Sequence, residues 1–240
     1  MKRTVVRWPS GCNFIQTDAY LGITTDCVLL SAFPSLSRCR RAVDLGCGVG
    51  GAGILLASRS SSLTVDLLDI QRGAVDIARE NVRLNALESR VKTLCGDMRA
   101  PVLPGDSYDL AICNPPYFVT GSGKKAKNAA IETARGDGEC TIDEVARSAA
   151  RLLKTGGRFA AVFRPERMVD LFWAMRGAGL EPKRLRRVLD REGTAPILIL
   201  AEARKGGGVS LVHEPDLILR NSDGNYTDEV REMYSMKEER

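Results

Sequence analysis

Asp44-Leu45-Gly46-Cys47-Gly48-Val49-Gly50 closes a short apolar run, Ala42 to Leu45, and opens a helical stretch, Ala52 to Arg59. Glycines at alternate positions let the chain turn tightly and let a ligand reach the backbone. The helix that follows offers unpaired N–H groups at its start. In a dinucleotide enzyme those groups face a pyrophosphate. Here an acid, Asp44, stands two residues before the first glycine. At the mouth of the loop it would repel pyrophosphate, and it suits a ligand that carries positive charge.

Short apolar runs alternate with helical segments on either side of this loop. Leu63 to Asp69 reads as a strand and Gln71 to Leu87 as a helix, with Ala74, Ile77 and Ala78 at helical spacing. Val91 to Cys95 and Tyr108 to Cys113 read as the next two strands. Thr141 and Glu144 form a capping box ahead of Ile142, Val145, Ala146, Ala149, Leu152 and Leu153, and Gly156-Gly157 end that helix. Phe159 to Phe163 is a strand, Pro165 to Gly177 a helix, and Leu185 to Leu189 and Ile197 to Ala201 are the last two strands. This alternation predicts βαβ units around a parallel sheet. The expected fold is α/β: seven strands, mostly parallel, with helices on both faces. Residues 1–39 are expected to form a short N-terminal cap on a domain spanning 40–240.

Two further acids and one proline-rich segment complete the pattern. Asp69 ends the second strand, where a carboxylate can accept both hydroxyls of a ribose. Asp97 follows the third strand in Cys95-Gly96-Asp97-Met98. Asn114-Pro115-Pro116-Tyr117-Phe118 ends the fourth. The prolines fix the backbone and remove two donors, leaving carbonyls exposed. The Asn114 carboxamide oxygen and the Pro115 carbonyl can then accept from one –NH2 group, while Tyr117 offers a ring face to a planar base. An amine conjugated to a ring is a poor nucleophile. Two fixed acceptors on its hydrogens hold it still and favour a pyramidal nitrogen, so that in-line displacement proceeds chiefly by proximity.

The D-x-G-x-G-x-G order resembles motif I of Rossmann-like class I methyltransferases, and NPPY resembles motif IV of those that act on nitrogen. Tyr20 to Leu30 (YLGITTDCVLL) and Leu217 to Tyr234 (LILRNSDGNYTDEVREMY) are similar to the bacterial family that methylates N6 of an anticodon-loop adenine in tRNA1(Val). That resemblance covers nearly the whole chain. It implies S-adenosylmethionine as cofactor, S-adenosylhomocysteine as product, and a cofactor set of Thr25, Asp44, Gly46, Gly48, Gly50, Asp69, Ile70, Asp97, Met98 and Asn114. Asp44 would meet the cofactor's amino group, Asp97 would accept from its adenine, and Met98 would pack on the ring. Thr25 and Asp26 would close over it, although both also suit the start of a helix. Asn114, Pro115, Pro116 and Tyr117 would be catalytic. The alternative targets of the same chemistry are a protein glutamine amide and guanine N2 in rRNA. Ala134-Arg135-Gly136-Asp137 departs from the family's ARxE pattern, which leaves the RNA target open.

Composition fits this picture. The chain has 240 residues, 44% of them hydrophobic and 27% charged, which is ordinary for a soluble globular protein. No membrane span, signal peptide or zinc-ligand spacing is evident, and a cytoplasmic location without a metal is expected. Seven cysteines read as reduced, buried thiols. The one histidine, His213, makes histidine-based proton transfer improbable. A net charge of +5 is compatible with a polyanionic partner. Basic residues cluster at Arg38, Arg40 and Arg41, at Lys124, Lys125 and Lys127, and at Lys183, Arg184, Arg186 and Arg187. The loop 121–138, directly after NPPYF, is the expected tRNA contact.

Overall fold

A computed structural model describes residues 2–100, 102–115 and 140–235. Its centre is a nine-stranded sheet. The strands are β3 (Arg41–Leu45), β4 (Thr64–Asp69), β5 (Val91–Cys95), β6 (Tyr108–Cys113), β7 (Leu153–Phe163), β8 (Leu180–Leu189), β9 (Pro196–Lys205) and two short additions, β10 (Val212–His213) and β11 (Leu217–Ile218). The order across the main seven is β5-β4-β3-β6-β7-β9-β8, and β10 and β11 both pair with β8. All neighbours are parallel except β7 with β9 and β8 with β9, because β9 alone runs backwards. The two extra strands account for the difference from the expected seven. Each is only two residues long, too short for alternation to mark it as a strand.

Ahead of the sheet, β1 (Arg3–Arg7) and β2 (Asn13–Thr17) form an antiparallel hairpin, followed by α1 (Thr25–Ala32). Helices α2 (Gly51–Ser58) and α3 (Arg72–Leu84) cover one face of the sheet together with α1. Helices α4 (Ile142–Leu152) and α5 (Met168–Gly177) cover the other. Phe14, Val28, Leu29 and Leu30 of the N-terminal segment are buried in the same core as Ile54, Leu55 and Leu67. Along α2 every residue from Gly51 to Ala57 is buried. Helix α4 instead has one apolar face and one charged face, as its spacing predicts. The last helix, α6 (Asp228–Ser235), packs on α1.

The expected capping box is present: Thr141 Oγ1 accepts from Glu144 N, and Thr141 N donates to Glu144 Oε2 at 2.7 Å. Helix α4 stops at Leu152, however, before Gly156-Gly157. Leu153 is already paired with Tyr108 of β6, so the sheet takes the chain at that point. The two glycines serve a bulge between β6 and β7. A Cβ on Gly157 would stand 2.8 Å from Lys154 O and 3.1 Å from Tyr108 O. Likewise the stretch Pro165 to Gly177 begins with a 3-10 turn, Pro165–Arg167, before α5.

One buried side chain ties the hairpin to the glycine loop. Asn81 of α3 is fully buried; its Oδ1 accepts from Ile15 N at 2.7 Å and its Nδ2 donates to Val49 O at 2.9 Å. Replacing Asn81 with Ala strands both backbone groups, each worth about 1–3 kcal/mol when buried without a partner. The expected result is a chemical-denaturation midpoint lowered by a loss of about 2–6 kcal/mol, at an unchanged slope. An undiminished midpoint would show that water replaces the amide.

Candidate active site

The sheet itself creates the crevice. Strand β3 pairs with β4 on one side and β6 on the other, so connections leave it in opposite directions. Ligands bind at such a switch point, beyond the carboxyl ends of the strands. The register places Asp44 level with Leu67 and Ile112, and Asp69 level with Cys95. Asn114, Gly46, Asp69 and Asp97 therefore all lie at or within two residues of the carboxyl ends of four adjacent strands.

The glycine loop bends as its sequence requires. Gly46, Gly48 and Gly50 have φ of +71°, +54° and +86°, a region that strains other residues. A Cβ on Gly50 would meet Ile54, Leu67 and Ala78 within 3.1–3.3 Å, so that glycine is needed for helix–sheet packing. A Cβ on Gly48 would meet nothing within 4 Å, so its backbone borders open space where a ligand can approach. Gly53 sits against the Leu67 side chain with no room for a methyl group.

Asp44 does not stand at the mouth of the loop. It is buried beneath it, at 2% exposure, and its Oδ2 accepts from Gly53 N at 2.8 Å. Burial pushes its pKa up to about 7; the Gly53 bond opposes the rise and the Asp69 charge adds to it. Asp69 is also buried, and burial raises its pKa against bonds from Gln71 N and Gly48 N. Those two bonds, both 2.8 Å, use one lone pair on each carboxylate oxygen and leave another on each for ribose hydroxyls. Neither acid forms an ion pair among the described residues. Two buried carboxylates without a cation suit a ligand that brings positive charge and hydrogen-bond donors.

The pH consequence follows in sign. Asp44 has a higher pKa folded than unfolded, so it opposes folding as pH rises from about 4 to about 7, and acidification through that window relieves it. Binding of an ammonium group requires the charged form. Cofactor affinity is therefore expected to fall roughly tenfold per pH unit below about 7, measured by calorimetric titration. A flat profile between pH 5 and 7 would remove Asp44 from contact with the cofactor's charge.

The residues expected around the cofactor's adenine lie past the ends of β4 and β5. Ile70 is 57% exposed, directly after Asp69, and offers an apolar face. Met98 reaches back towards Gly46, its Cε 3.7 Å from where a Cβ would stand. Asp97 is gripped by Arg99, whose Nε lies 2.9 and 3.0 Å and whose Nη2 lies 2.7 Å from the carboxylate oxygens. That guanidinium holds the Asp97 pKa below the usual carboxylate range. Arg99 also reaches Glu144 at 3.5 Å. Sequence reading missed this partner, although the spacing Asp-x-Arg could have signalled it.

Thr25 is placed by the C-terminus. Its Oγ1 shares a hydrogen bond of 2.9 Å with Tyr234 Oη, and Tyr234 stacks on Trp8 and Tyr226 at 5.8 and 5.2 Å between ring centroids. The N-cap of α1 is Thr24, which makes no side-chain cap bond. Ile23 and Cys27 lie against Gly51, so the start of α1 rests on the start of α2. Asn114 is half-buried and Pro115 buried just past the end of β6. Pro116, Tyr117, Lys124, Lys125, Lys127 and the whole loop 121–138 lie outside the described residues.

Other expectations divide. All seven cysteines are free; Cys12, Cys39, Cys47 and Cys113 are buried, whereas Cys95 is exposed at the rim of the crevice. His213 is exposed on β10, at the sheet edge. The cluster at 183–187 is tied internally. Arg184 pairs with Glu214 at 2.5 Å, Arg186 with Glu229 at 2.6 Å, and Arg187 with Asp216 at 2.7 Å, pinning the C-terminal segment onto β8. Arg41 pairs with Asp66 at 2.9 Å. Among the described residues no helix is long and apolar enough to cross a membrane, and no three acidic, Cys or His side chains converge on a metal site.

A doubly wound sheet with this strand order, a glycine loop over two buried acids and an Asn-Pro at the neighbouring strand end define a Rossmann-like, S-adenosylmethionine-dependent methyltransferase. The family described as methyltransferase small domain matches residues 24–171. A tRNA1(Val) (adenine(37)-N6)-methyltransferase of Tolumonas auensis is 32% identical over 216 residues, 89% of this chain and 88% of that one. One from Parabacteroides distasonis is 30% identical over 75% of each chain. Among solved structures, one described as a predicted O-methyltransferase of Agrobacterium tumefaciens superposes with a TM-score of 0.73 at 21% identity, covering 89% of this chain and 97% of that one. The chain belongs to the methyltransferase small domain family and, within it, to the bacterial tRNA1(Val) (adenine(37)-N6)-methyltransferase family.

Proposed function

We propose that the protein transfers the methyl group of S-adenosylmethionine to N6 of an anticodon-loop adenine, position 37, in a tRNA of the tRNA1(Val) type. The observation that carries this reading is the 32% identity to the Tolumonas enzyme, which runs through 89% of the chain. It therefore extends beyond residues 24–171, which match the small-domain family.

When bound, the cofactor supplies an electrophilic methyl group. The chain's own residues do the rest. Asp44 balances the charge of the cofactor's amino group, and Asp69 accepts from its ribose. Gly46 and Gly48 let it approach the backbone. Ile70 and Met98 flank its adenine, and Asp97 accepts from the adenine amine. The Asn114 carboxamide oxygen and the Pro115 carbonyl each accept one hydrogen of the target amine, and Tyr117 stacks on the target base. Positive charge developing on the attacking nitrogen is met by those fixed dipoles. An anticodon-loop base is unpaired, so bringing it into the crevice requires little unstacking. Lys124, Lys125 and Lys127 are the proposed phosphate contacts of the loop after NPPYF.

The test is methyl transfer from labelled S-adenosylmethionine into total RNA and total protein from cells lacking the gene, followed by nucleoside analysis. Label is expected in N6-methyladenosine of the tRNA fraction. Label in protein or in N2-methylguanosine would overturn the substrate while keeping the chemistry. Lys124→Glu, Lys125→Glu and Lys127→Glu together are expected to abolish RNA methylation; full activity of that variant would remove the basic loop from substrate binding.

A further inference from the structure

We propose that the open cleft between α4 and the segment after β5 is a phosphate site that anchors the RNA backbone beside the catalytic crevice. The inference rests on the tRNA reading above and adds a contact outside the basic loop. The cleft has a volume of about 300 Å³ and is lined by Arg99, Glu144, Arg147, Ser148 and Arg151. Three guanidinium groups thus face one carboxylate.

The four donor side chains have different duties. Arg151 is locked in place, donating to Leu103 O at 3.1 Å, Ala100 O at 3.1 Å and Met98 O at 3.2 Å. Those acceptors are neutral carbonyls, so its charge is fixed but not cancelled. Arg99 is held between Asp97 and Glu144 and its charge is largely matched. Arg147 is exposed, one turn before Arg151 on the same helix face, and has no hydrogen bond or ion pair among the described residues. Ser148 is 5% exposed, and its hydroxyl likewise has no described partner. A rigid cation, a free cation and a free hydroxyl therefore converge on one wall. A phosphodiester takes this set: it is anionic and offers several acceptor oxygens, and arginine is suited to grip it.

The position fits a strand that continues past the target base. Arg99 reaches from the cleft to Asp97 of the candidate cofactor set. A phosphate held here therefore lies beside the crevice, on the face of the sheet covered by α4 and α5.

The experiment measures binding of an unmodified valine tRNA transcript by fluorescence anisotropy across a salt series. It compares the intact protein, Arg147→Ala and Arg83→Ala. Arg83 is exposed on α3, on the opposite face of the sheet, so it controls for the loss of one positive charge. Arg147→Ala is expected to weaken tRNA binding and lower the slope of log K against log salt by about one, while Arg83→Ala leaves both unchanged. Affinity for S-adenosylmethionine should be the same in all three. Equal affinity and slope for Arg147→Ala and the intact protein would overturn the proposal and leave the tRNA reading standing. If the intact protein binds no tRNA, the tRNA reading fails together with RNA as the source of the phosphate. A titration with inorganic phosphate, followed by NMR of the Arg147 side-chain N–H groups, is a separate arm. Saturable binding of inorganic phosphate alone would identify a free-phosphate site and overturn RNA anchoring.

Discussion

Asn114→Ala is expected to lose turnover by about 10²–10³-fold while cofactor affinity, to which Asn114 adds one contact of many, changes far less. The carboxamide oxygen is one of two acceptors that hold the target amine, and its contribution grows as positive charge develops on the nitrogen. Such an interaction is realised in the transition state, so kcat and kcat/KM should fall together. The substitution should not disturb the sheet. The β3–β6 pairing ends at Asp44 and Ile112, two residues before Asn114, and Asn114 is only half-buried. Single-turnover methyl transfer with saturating cofactor, paired with calorimetric titration of S-adenosylhomocysteine, separates the two effects. Loss of cofactor affinity with a preserved rate at saturation would reverse the assigned role.

Removing the charge of Asp44 should act on the other half of the reaction. Asp44→Asn keeps a carbonyl oxygen for the Gly53 N–H, so α2 retains the partner it has at 2.8 Å. What disappears is the negative charge. A hydrogen bond to a charged group is worth about 1.5–3 kcal/mol, which corresponds to a cofactor Kd weakened roughly 10- to 150-fold. The rate at saturating cofactor should change much less. Because the titrating group is gone, the fall in affinity below about pH 7 should also vanish. Asp44→Ala adds an unpaired buried N–H at Gly53 and should destabilise the fold beyond the Asn variant. Unchanged cofactor affinity in Asp44→Asn would show that the acid serves the helix start alone.

The fold and the chemistry were legible because local rules set them. Asp44 to Gly50 must turn sharply between a strand and a helix, and only glycine adopts the required φ without strain, so the loop is written in the composition. Thr141 and Glu144 satisfy each other's backbone within one turn, and their spacing alone fixes the start of α4. Asn114-Pro115 is likewise local, since proline sets its own dihedral angle. Long-range pairing decided the rest. Leu153 leaves the helix because Tyr108 is there to pair with it. Asp44 lies under the loop because β3 points its side chain at the start of α2, which converts an acid expected at the mouth into one whose burial raises its pKa. Asn81 and Tyr234 hold Val49 and Thr25 across separations of 32 and 209 residues. By itself, then, the sequence determined the strand–loop–helix grammar and the methyl-transfer chemistry. Only the tertiary structure decided which of the many charges are neutralised and which stay open. Burial and pairing depend on neighbours brought together by the sheet, and no local spacing encodes them.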